Sequence, residues 1–246
     1  MDKRPPFKLK RSIRALAASG LACGALLSAH AEVPGAVKQL RRPSSNSDQH
    51  QRWRESFDAF AAADLERSPL PGGVVFVGSS SIRLWRGLEE AFDTPTPIIK
   101  RGFGGSRLSD CSSNLELLVL RYKPRLVVVY AGDNDLAEGA DPQQVLRRFE
   151  AFVEGVRAAL PDTRVAYLSI KPSPLRERLM PSAQEANALI ARYAATQPAV
   201  QFIDLYSKMI GSDGRPRAEL YLDDRLHLND AGYALWRAEI AAHLKL

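Results

Sequence analysis

The sequence contains little cysteine and histidine, and this scarcity limits the kinds of site it can build. Its 246 residues include two cysteines and four histidines. No Cys or His pair stands at the spacing of a metal site, so we expect no protein-held metal ion. Cys23 lies in an N-terminal apolar run, which leaves Cys111 alone in the main domain. Cys111 therefore has no intrachain disulfide partner there, and we expect it to pack in a helix.

Net positive charge is also small outside the N-terminus. The formal net charge is +6, but residues 1–31 carry +5 of it, from six basic side chains against Asp2. The rest of the chain is close to neutral. Such a domain gives no electrostatic case for nucleic-acid binding, and we expect none.

The N-terminal apolar run, residues 15–29, is short for a membrane span and contains glycines and serine. Basic residues precede it and Ala29-His30-Ala31 follows it, which is the layout of a secretory signal peptide over residues 1–31. We expect cleavage after Ala31 rather than an uncleaved anchor, so that no membrane span remains. This predicts export to a periplasm or to the cell exterior. Residues 32–47 are predicted to be a flexible arm, and residues 48–246 the folded domain.

The remaining chain alternates between strand and helix patterns. Ser47 or Asp48 is expected to cap a first helix that ends near Arg67, with an apolar stripe. The stripe consists of Trp53, Phe57, Phe60, Ala61 and Leu65. Strands are predicted at 74–77, 98–100, 126–130, 164–170 and 200–205. Further helices are predicted at 82–92, 108–121, 142–160 and 181–196, with a last one after Asn229. This order indicates an α/β fold with a mainly parallel sheet and helices on both faces.

Sites in such sheets lie beyond the C-terminal ends of the strands. Three glycine-containing loops, 78–81, 102–106 and 132–135, are predicted to meet there, and the polar cluster 223–227 precedes the last helix. The serines after Gly78 stand between a buried strand and a helix start, which suits a nucleophilic hydroxyl. The alternative is a serine turn that only caps the helix.

A nucleophilic serine needs a base and a group that orients the base. His227 is the best candidate, because His30 lies in the signal peptide, His50 in the arm and His243 in the final turn. Asp224 stands three residues before His227, so its carboxylate can reach the imidazole Nδ1.

An ester-cleaving serine also needs donors for the oxyanion. They can come from the Ser80 N–H, a glycine N–H of Gly104-Gly105, and the Asn134 amide. The alternative for the glycine turn is a phosphate-binding loop, but both the P-loop and the dinucleotide spacing are absent. Asn134 can also close an Asx turn.

Four segments occur in order: FVGSSS, GFGGS, AGDND and DRLH. Together they resemble the four blocks of the SGNH (GDSL-type) hydrolase superfamily, over about residues 70–246. The resemblance implies a flavodoxin-like three-layer sandwich with five strands in the order 2-1-3-4-5. It also implies ester hydrolysis without a cofactor.

The resemblance also implies roles for particular residues. Ser80 matches the nucleophile, Asp224 and His227 complete the catalytic triad, and Gly105 and Asn134 join the Ser80 N–H in the oxyanion hole. Ser79 departs from the family pattern, which usually has Asp at this position.

The expected function is that of a secreted serine esterase acting on a small-molecule, carbohydrate or lipid ester. Polar, basic loops favour a short acyl group, such as acetyl, on a polar scaffold, with lysophospholipids as another option. One alternative is a non-catalytic module that binds a carbohydrate or surface polymer. Another is a nucleotide-binding flavodoxin-like domain.

Overall fold

The computed structural model describes residues 51–244. The predicted signal peptide (1–31), the arm (32–47) and the predicted caps Ser47 and Asp48 lie outside the described residues. Within residues 51–244, no helix is both long enough and apolar enough to cross a membrane.

The sheet contains five parallel strands in the order β2-β1-β3-β4-β5, which confirms the order implied by the family resemblance. The strands are β1 Val74–Gly78, β2 Ile98–Gly102, β3 Leu126–Tyr130, β4 Arg164–Leu168 and β5 Val200–Ile203. Every residue of β1 and β3 is buried, as expected for central strands covered on both faces.

Helices connect the strands. The α-helices are α1 Arg54–Glu66, α2 Ser80–Arg83, α3 Leu108–Ser113, α4 Leu115–Leu118, α5 Asp133–Ala137, α6 Pro142–Ala159, α7 Met180–Thr196 and α8 Asp230–His243. Short 3₁₀ segments occur at Leu88–Glu90, Leu120–Tyr122, Pro174–Leu179, Ser207–Met209 and Ala218–Leu220. The predicted Asp141 cap is confirmed, because its side chain accepts from the Gln144 N–H. Asn229 caps α8 in the same way.

Two apolar cores lie on opposite faces of the sheet. Val75 and Val77 of β1 belong to one core, whereas Val74 and Phe76 belong to the other, as strand alternation requires. The first core contains buried residues of α1, α3, α6 and α7, and the second contains buried residues of α8. The fold is therefore the flavodoxin-like three-layer arrangement that was expected.

Two helices predicted as continuous are broken. In the 108–121 segment, Asn114 leaves the helical region, and its side chain donates to the Asp110 carbonyl at 2.8 Å. This side-chain bond competes with the backbone ladder and separates α3 from α4. In the 82–92 segment, Gly87 takes φ +64°, a left-handed conformation that no right-handed helix can contain.

The apolar stripe predicted for α1 is only partly correct. Trp53 and Phe57 are buried, but Leu65 is 89% exposed and Ala61 is also exposed. Asp64 turns inward instead, where it accepts hydrogen bonds from Tyr122 Oη at 2.6 Å and from Arg101. A polar contact, rather than an apolar one, therefore anchors the end of α1.

Strands β4 and β5 end two residues earlier than predicted. The Ser169 hydroxyl accepts from the backbone N–H groups of Leu205 at 2.9 Å and Tyr206 at 2.8 Å. These side-chain bonds replace the ladder, so the two strands separate there.

Candidate active site

The C-terminal end of β1 brings the predicted loops together. Gly78 pairs with Gly102 of β2 on one side and with Tyr130 of β3 on the other. A Cβ at Gly78 would lie 1.9 Å from the Tyr130 carbonyl oxygen, so only glycine allows β1 and β3 to approach here. The serine, glycine and Asn134 loops consequently open at one edge of the sheet.

Ser79 and Ser80 occupy different environments at this edge. Ser79 is fully buried at the N-cap position of α2, but within residues 51–244 its hydroxyl has no hydrogen-bond partner and makes no capping bond. The alternative of a serine cap is therefore not what the structure shows. Ser80 begins α2 and is only partly buried, so its hydroxyl is open to the loop that precedes α8.

His227 bridges Ser80 and Asp224. Its Nε2 lies 2.9 Å from Ser80 Oγ, and its Nδ1 lies 2.6 Å from Asp224 Oδ2. Asp224 Oδ1 accepts the backbone N–H groups of Leu226 and His227, each at 2.9 Å. With the proton on Nδ1, the Nε2 lone pair faces the serine hydroxyl. The structure thus brings together the three residues predicted to form a triad.

Hydrogen bonds stabilise the ionised form of Asp224. Partial desolvation opposes ionisation, but bonds from the backbone and ring of His227 and from the Leu226 N–H outweigh it. Together they lower the pKa of Asp224 to about 2. Asp224 is therefore an anion at any pH near neutrality and can hold the Nδ1 proton.

A tight loop holds Asp224 and His227 at this spacing. Arg225 takes φ +58°, its N–H donates to the Leu222 carbonyl, and the Leu222 N–H donates to the His227 carbonyl, both at 2.8 Å. The left-handed turn at Arg225 allows the Asp224 side chain to reach back to the ring. Sequence analysis did not single out Arg225, because arginine carries no signal for this conformation.

Two backbone N–H groups predicted for the oxyanion hole are without an acceptor. Within residues 51–244, neither the Ser80 N–H nor the Gly105 N–H has an acceptor. Gly105 has φ +73°, and Trp53 Nε1 donates to the neighbouring Gly104 carbonyl at 2.8 Å. The glycine loop is therefore fixed in a turn that leaves the Gly105 N–H available.

Asn134 lies at the start of α5, a short helix that sequence analysis missed. Its Nδ2 donates to the Ser106 carbonyl at 3.0 Å, and its Oδ1 accepts from Arg176 Nη2 at 2.9 Å. The side chain thus spans two loops rather than closing an Asx turn. One Nδ2 hydrogen remains available to a ligand.

Two guanidinium groups flank the glycine loop. A Cβ at Gly104 would lie 3.1 Å from Arg83 Nε, and one at Gly105 would lie 2.7 Å from Arg52 Nη2. In the described part of the chain, neither arginine forms an ion pair with a carboxylate. Sequence analysis noted basic loops but not these two residues.

A cleft of about 590 Å³ lies between α2 and the start of α8. Leu84 and Leu228 line it, whereas none of the five candidate site residues does. Its wall also contains charged groups of both signs: Arg86, Glu90, Asp230 and Arg237. The volume is in the range of small-molecule sites.

Residues 51–244 contain no cluster of three or more His, Cys, Asp or Glu side chains that could hold a metal ion.

Comparison with solved structures finds the same fold in other proteins. A candidate platelet activating factor from Streptococcus pneumonia matches with TM-score 0.68 and 22% identity, over 80% of this chain and 94% of that one. A candidate acylhydrolase from Bacteroides fragilis gives TM-score 0.65 and 21% identity, over 82% and 97%. A GDSL-like lipase from Bacteroides thetaiotaomicron gives TM-score 0.63 and 24% identity, over 76% of this chain and 96% of that one. No curated protein matches the chain.

The model of the GDSL-like lipase/acylhydrolase family matches residues 72–235. This range contains the whole predicted site, from Ser80 to His227, and covers more than half of the chain. The protein therefore belongs to the GDSL-like lipase/acylhydrolase family, a family of ester hydrolases.

Proposed function

We propose that this protein is a serine esterase that cleaves carboxylic esters through an acyl-enzyme. The observation that carries the proposal is the hydrogen-bonded chain of Ser80 Oγ, His227 and Asp224, with separations of 2.9 and 2.6 Å. In this arrangement Ser80 is the nucleophile, His227 the general base, and Asp224 the group that orients the imidazole.

In the first half-reaction, Ser80 Oγ attacks the ester carbonyl carbon while its proton passes to His227 Nε2. The negative charge that develops on the carbonyl oxygen is met by the Ser80 N–H, the Gly105 N–H and Asn134 Nδ2. The bond to the alcohol oxygen then breaks, and His227 donates its proton to that oxygen. The alcohol leaves, and Ser80 retains the acyl group.

In the second half-reaction, water attacks the acyl carbon and gives a proton to His227. The same three donors hold the second oxyanion. Collapse of this intermediate breaks the bond to Ser80 Oγ, which recovers its proton from His227. The products are a carboxylic acid and the free enzyme.

The surroundings of the site support a polar substrate. Arg83 and Arg52 add positive charge beside the glycine loop. These features favour a short acyl group, such as acetyl, on a polar or anionic scaffold such as a carbohydrate. A lysophospholipid, which also presents an anionic headgroup, is the second substrate class to test.

We also propose that the protein is exported through a cleaved signal peptide at residues 1–31. The basic residues, the apolar run and the Ala29-His30-Ala31 site support this. Mass spectrometry of the protein from the periplasm or medium should give an N-terminus at Glu32. A protein that retains Met1, or that stays in the cytoplasm, would contradict the proposal.

The esterase proposal is tested by release of p-nitrophenol from acetate and longer-chain esters. Wild-type protein should turn over, whereas Ser80→Ala and His227→Ala should show only background hydrolysis with unchanged circular dichroism. His243→Ala, which removes a histidine at the exposed end of α8, is the matched control and should retain wild-type activity.

The outcomes separate the proposal from its rival. A chain-length profile that falls beyond acetate supports a short acyl group, and one that rises supports a lipid ester. Folded wild-type protein that neither hydrolyses any ester nor reacts with a serine-directed phosphonate would reject the esterase. A non-catalytic binding module would then be the better interpretation.

A further inference from the structure

We infer that Arg176 is a positioning residue that fixes the Asn134 amide for oxyanion binding. The inference rests on the proposed esterase function. Arg176 lies in the 3₁₀ segment Pro174–Leu179, and its Nη2 donates to Asn134 Oδ1 at 2.9 Å. It lies 42 positions from Asn134, and no sequence pattern connects the two.

The contacts at the two ends of the amide permit one orientation. Asn134 Nδ2 donates to the Ser106 carbonyl, and Oδ1 accepts from Arg176. A flip of the amide would set Oδ1 against the Ser106 carbonyl oxygen and Nδ2 against the guanidinium. Both contacts would then be repulsive, so Arg176 and Ser106 together keep the free Nδ2 hydrogen in place.

Asp133 holds the guanidinium in position. Arg176 Nη1 donates to Asp133 Oδ2 at 3.1 Å, while Asp133 Oδ1 accepts the Asn134 N–H at 3.0 Å. The buried Lys171 Nζ lies 3.9 Å from the same Oδ2. Asp133 thus neutralises part of the charge of Arg176 and aligns the guanidinium with the Asn134 amide. Arg176 therefore acts on Asn134 through an oriented hydrogen bond rather than as a free positive charge.

The hydrogen bond from Arg176 also strengthens the donor. A guanidinium on Oδ1 draws electron density from the amide and makes the remaining N–H group more positive. An oxyanion benefits from this polarisation more than a neutral ester carbonyl does, because it carries more charge. Removal of Arg176 should therefore lower kcat and leave KM nearly unchanged.

The same segment contacts the triad loop. The Leu175 N–H donates to the Arg225 carbonyl at 3.0 Å, one residue after Asp224. The 3₁₀ segment consequently touches both the Asn134 side and the His227 side of the site. A change at Arg176 could act through either side, so the experiment must separate them.

A double-mutant cycle with Asn134 makes the separation. We expect Arg176→Gln to lower kcat about 10- to 100-fold, up to the effect of losing one oxyanion donor. Arg176→Lys, which keeps a cation but not the planar fork, should fall between wild type and Arg176→Gln. Arg178→Gln, an exposed arginine on the same segment, is the matched control and should have wild-type kcat.

In the Asn134→Ala background, Arg176→Gln should change kcat less than about twofold, because there is no amide left to position. An equal loss in both backgrounds, or an unchanged kcat in the single variant, would overturn the inference. If Arg176→Gln does not fold, as judged by thermal unfolding, the same cycle with Arg176→Lys decides. Wild-type protein inactive on all esters would instead reject the proposed function itself.

Discussion

His227 Nε2 lies 2.9 Å from Ser80 Oγ, although 147 positions separate the two residues in the chain. The packing of α8 against the serine loop maintains this contact. Tyr233 Oη on α8 donates to the Ser81 carbonyl at 2.9 Å, and the Tyr233 ring stacks on Trp85. The base and the nucleophile therefore belong to two elements that are themselves joined.

Asp224→Asn should lower kcat about 10⁴-fold without unfolding the protein. The amide oxygen must remain on the N–H groups of Leu226 and His227, so its NH₂ would face Nδ1. The ring would then carry its proton on Nε2 and could not accept the Ser80 proton. Steady-state kinetics measure this, with the exposed neighbour Asp223→Asn as control. A loss below tenfold in Asp224→Asn would contradict the assigned role.

Gly105→Ala should lose both stability and activity, and a second glycine separates the two effects. Gly105 and Gly139 both have positive φ, at +73° and +95°, so alanine at either should cost about 1–3 kcal/mol. Gly139 has open space around it and lies outside the proposed oxyanion hole. Alanine keeps the Gly105 N–H but strains the turn and crowds Arg52 Nη2, so the donor should shift and kcat should fall up to about 100-fold in Gly105→Ala alone. Equal activities in the two variants would remove Gly105 from the hole.

Ser79→Ala should leave activity within about twofold of wild type and preserve or raise stability. The buried Ser79 hydroxyl has no hydrogen-bond partner among the described residues, and such groups cost about 1–3 kcal/mol. Thermal unfolding should show a melting temperature equal to wild type or up to about 12 °C higher, since 1 kcal/mol shifts it by about 2–4 °C in a domain of this size. If Ser79→Ala is as inactive as Ser80→Ala, the nucleophile has been assigned to the wrong serine.

Acid should remove a small contribution of Asp224 to stability. Its pKa in the folded protein, about 2, lies below the usual value of about 3.9, so the ionised form favours folding. This contribution is complete above about pH 4 and is lost as the pH falls toward 2. The Asp224 side chain is 46% exposed, and solvent screening therefore reduces this contribution. At pH 6 we expect the melting temperatures of wild type and Asp224→Asn to differ by less than about 4 °C. This difference in melting temperature should become smaller at pH 3. A difference that stays the same from pH 6 to pH 3 would contradict the low pKa of Asp224.

Cys111 should be unreactive toward thiol reagents while the protein is folded. Burial raises the pKa of its thiol well above the usual value, and the nearby Asp110 adds to this. We expect reaction with a disulfide reagent at pH 8 to be at least about 1,000-fold slower than that of the unfolded chain. Cys111→Ala provides the background. Rapid labelling of the folded protein would show that the α3 region opens.

Local patterns were enough to predict the strands and the long helices. Unbroken β-branched runs predict buried parallel strands wherever they occur, and the Asp141-Pro142 start of α6 depends on its own residues. The candidate site residues were predictable because each stands within two residues of a glycine after a strand or shortly before the Asn229 helix cap. The family resemblance was needed to select Ser80 and Gly105 from their neighbours.

Long-range contacts decided the rest. Asp64 turns inward because Arg101 and Tyr122, which are distant in the chain, donate hydrogen bonds to it. The hydrophobic periodicity of α1 cannot predict these partners. Arg176 reaches Asn134 only because the sheet brings the loops after β3 and β4 together. Thus the sequence by itself determined the order of the elements and the candidate nucleophile, base and donors. Tertiary structure alone decided their distances and the orientation of the Asn134 amide, because these depend on hydrogen bonds between residues far apart in the chain.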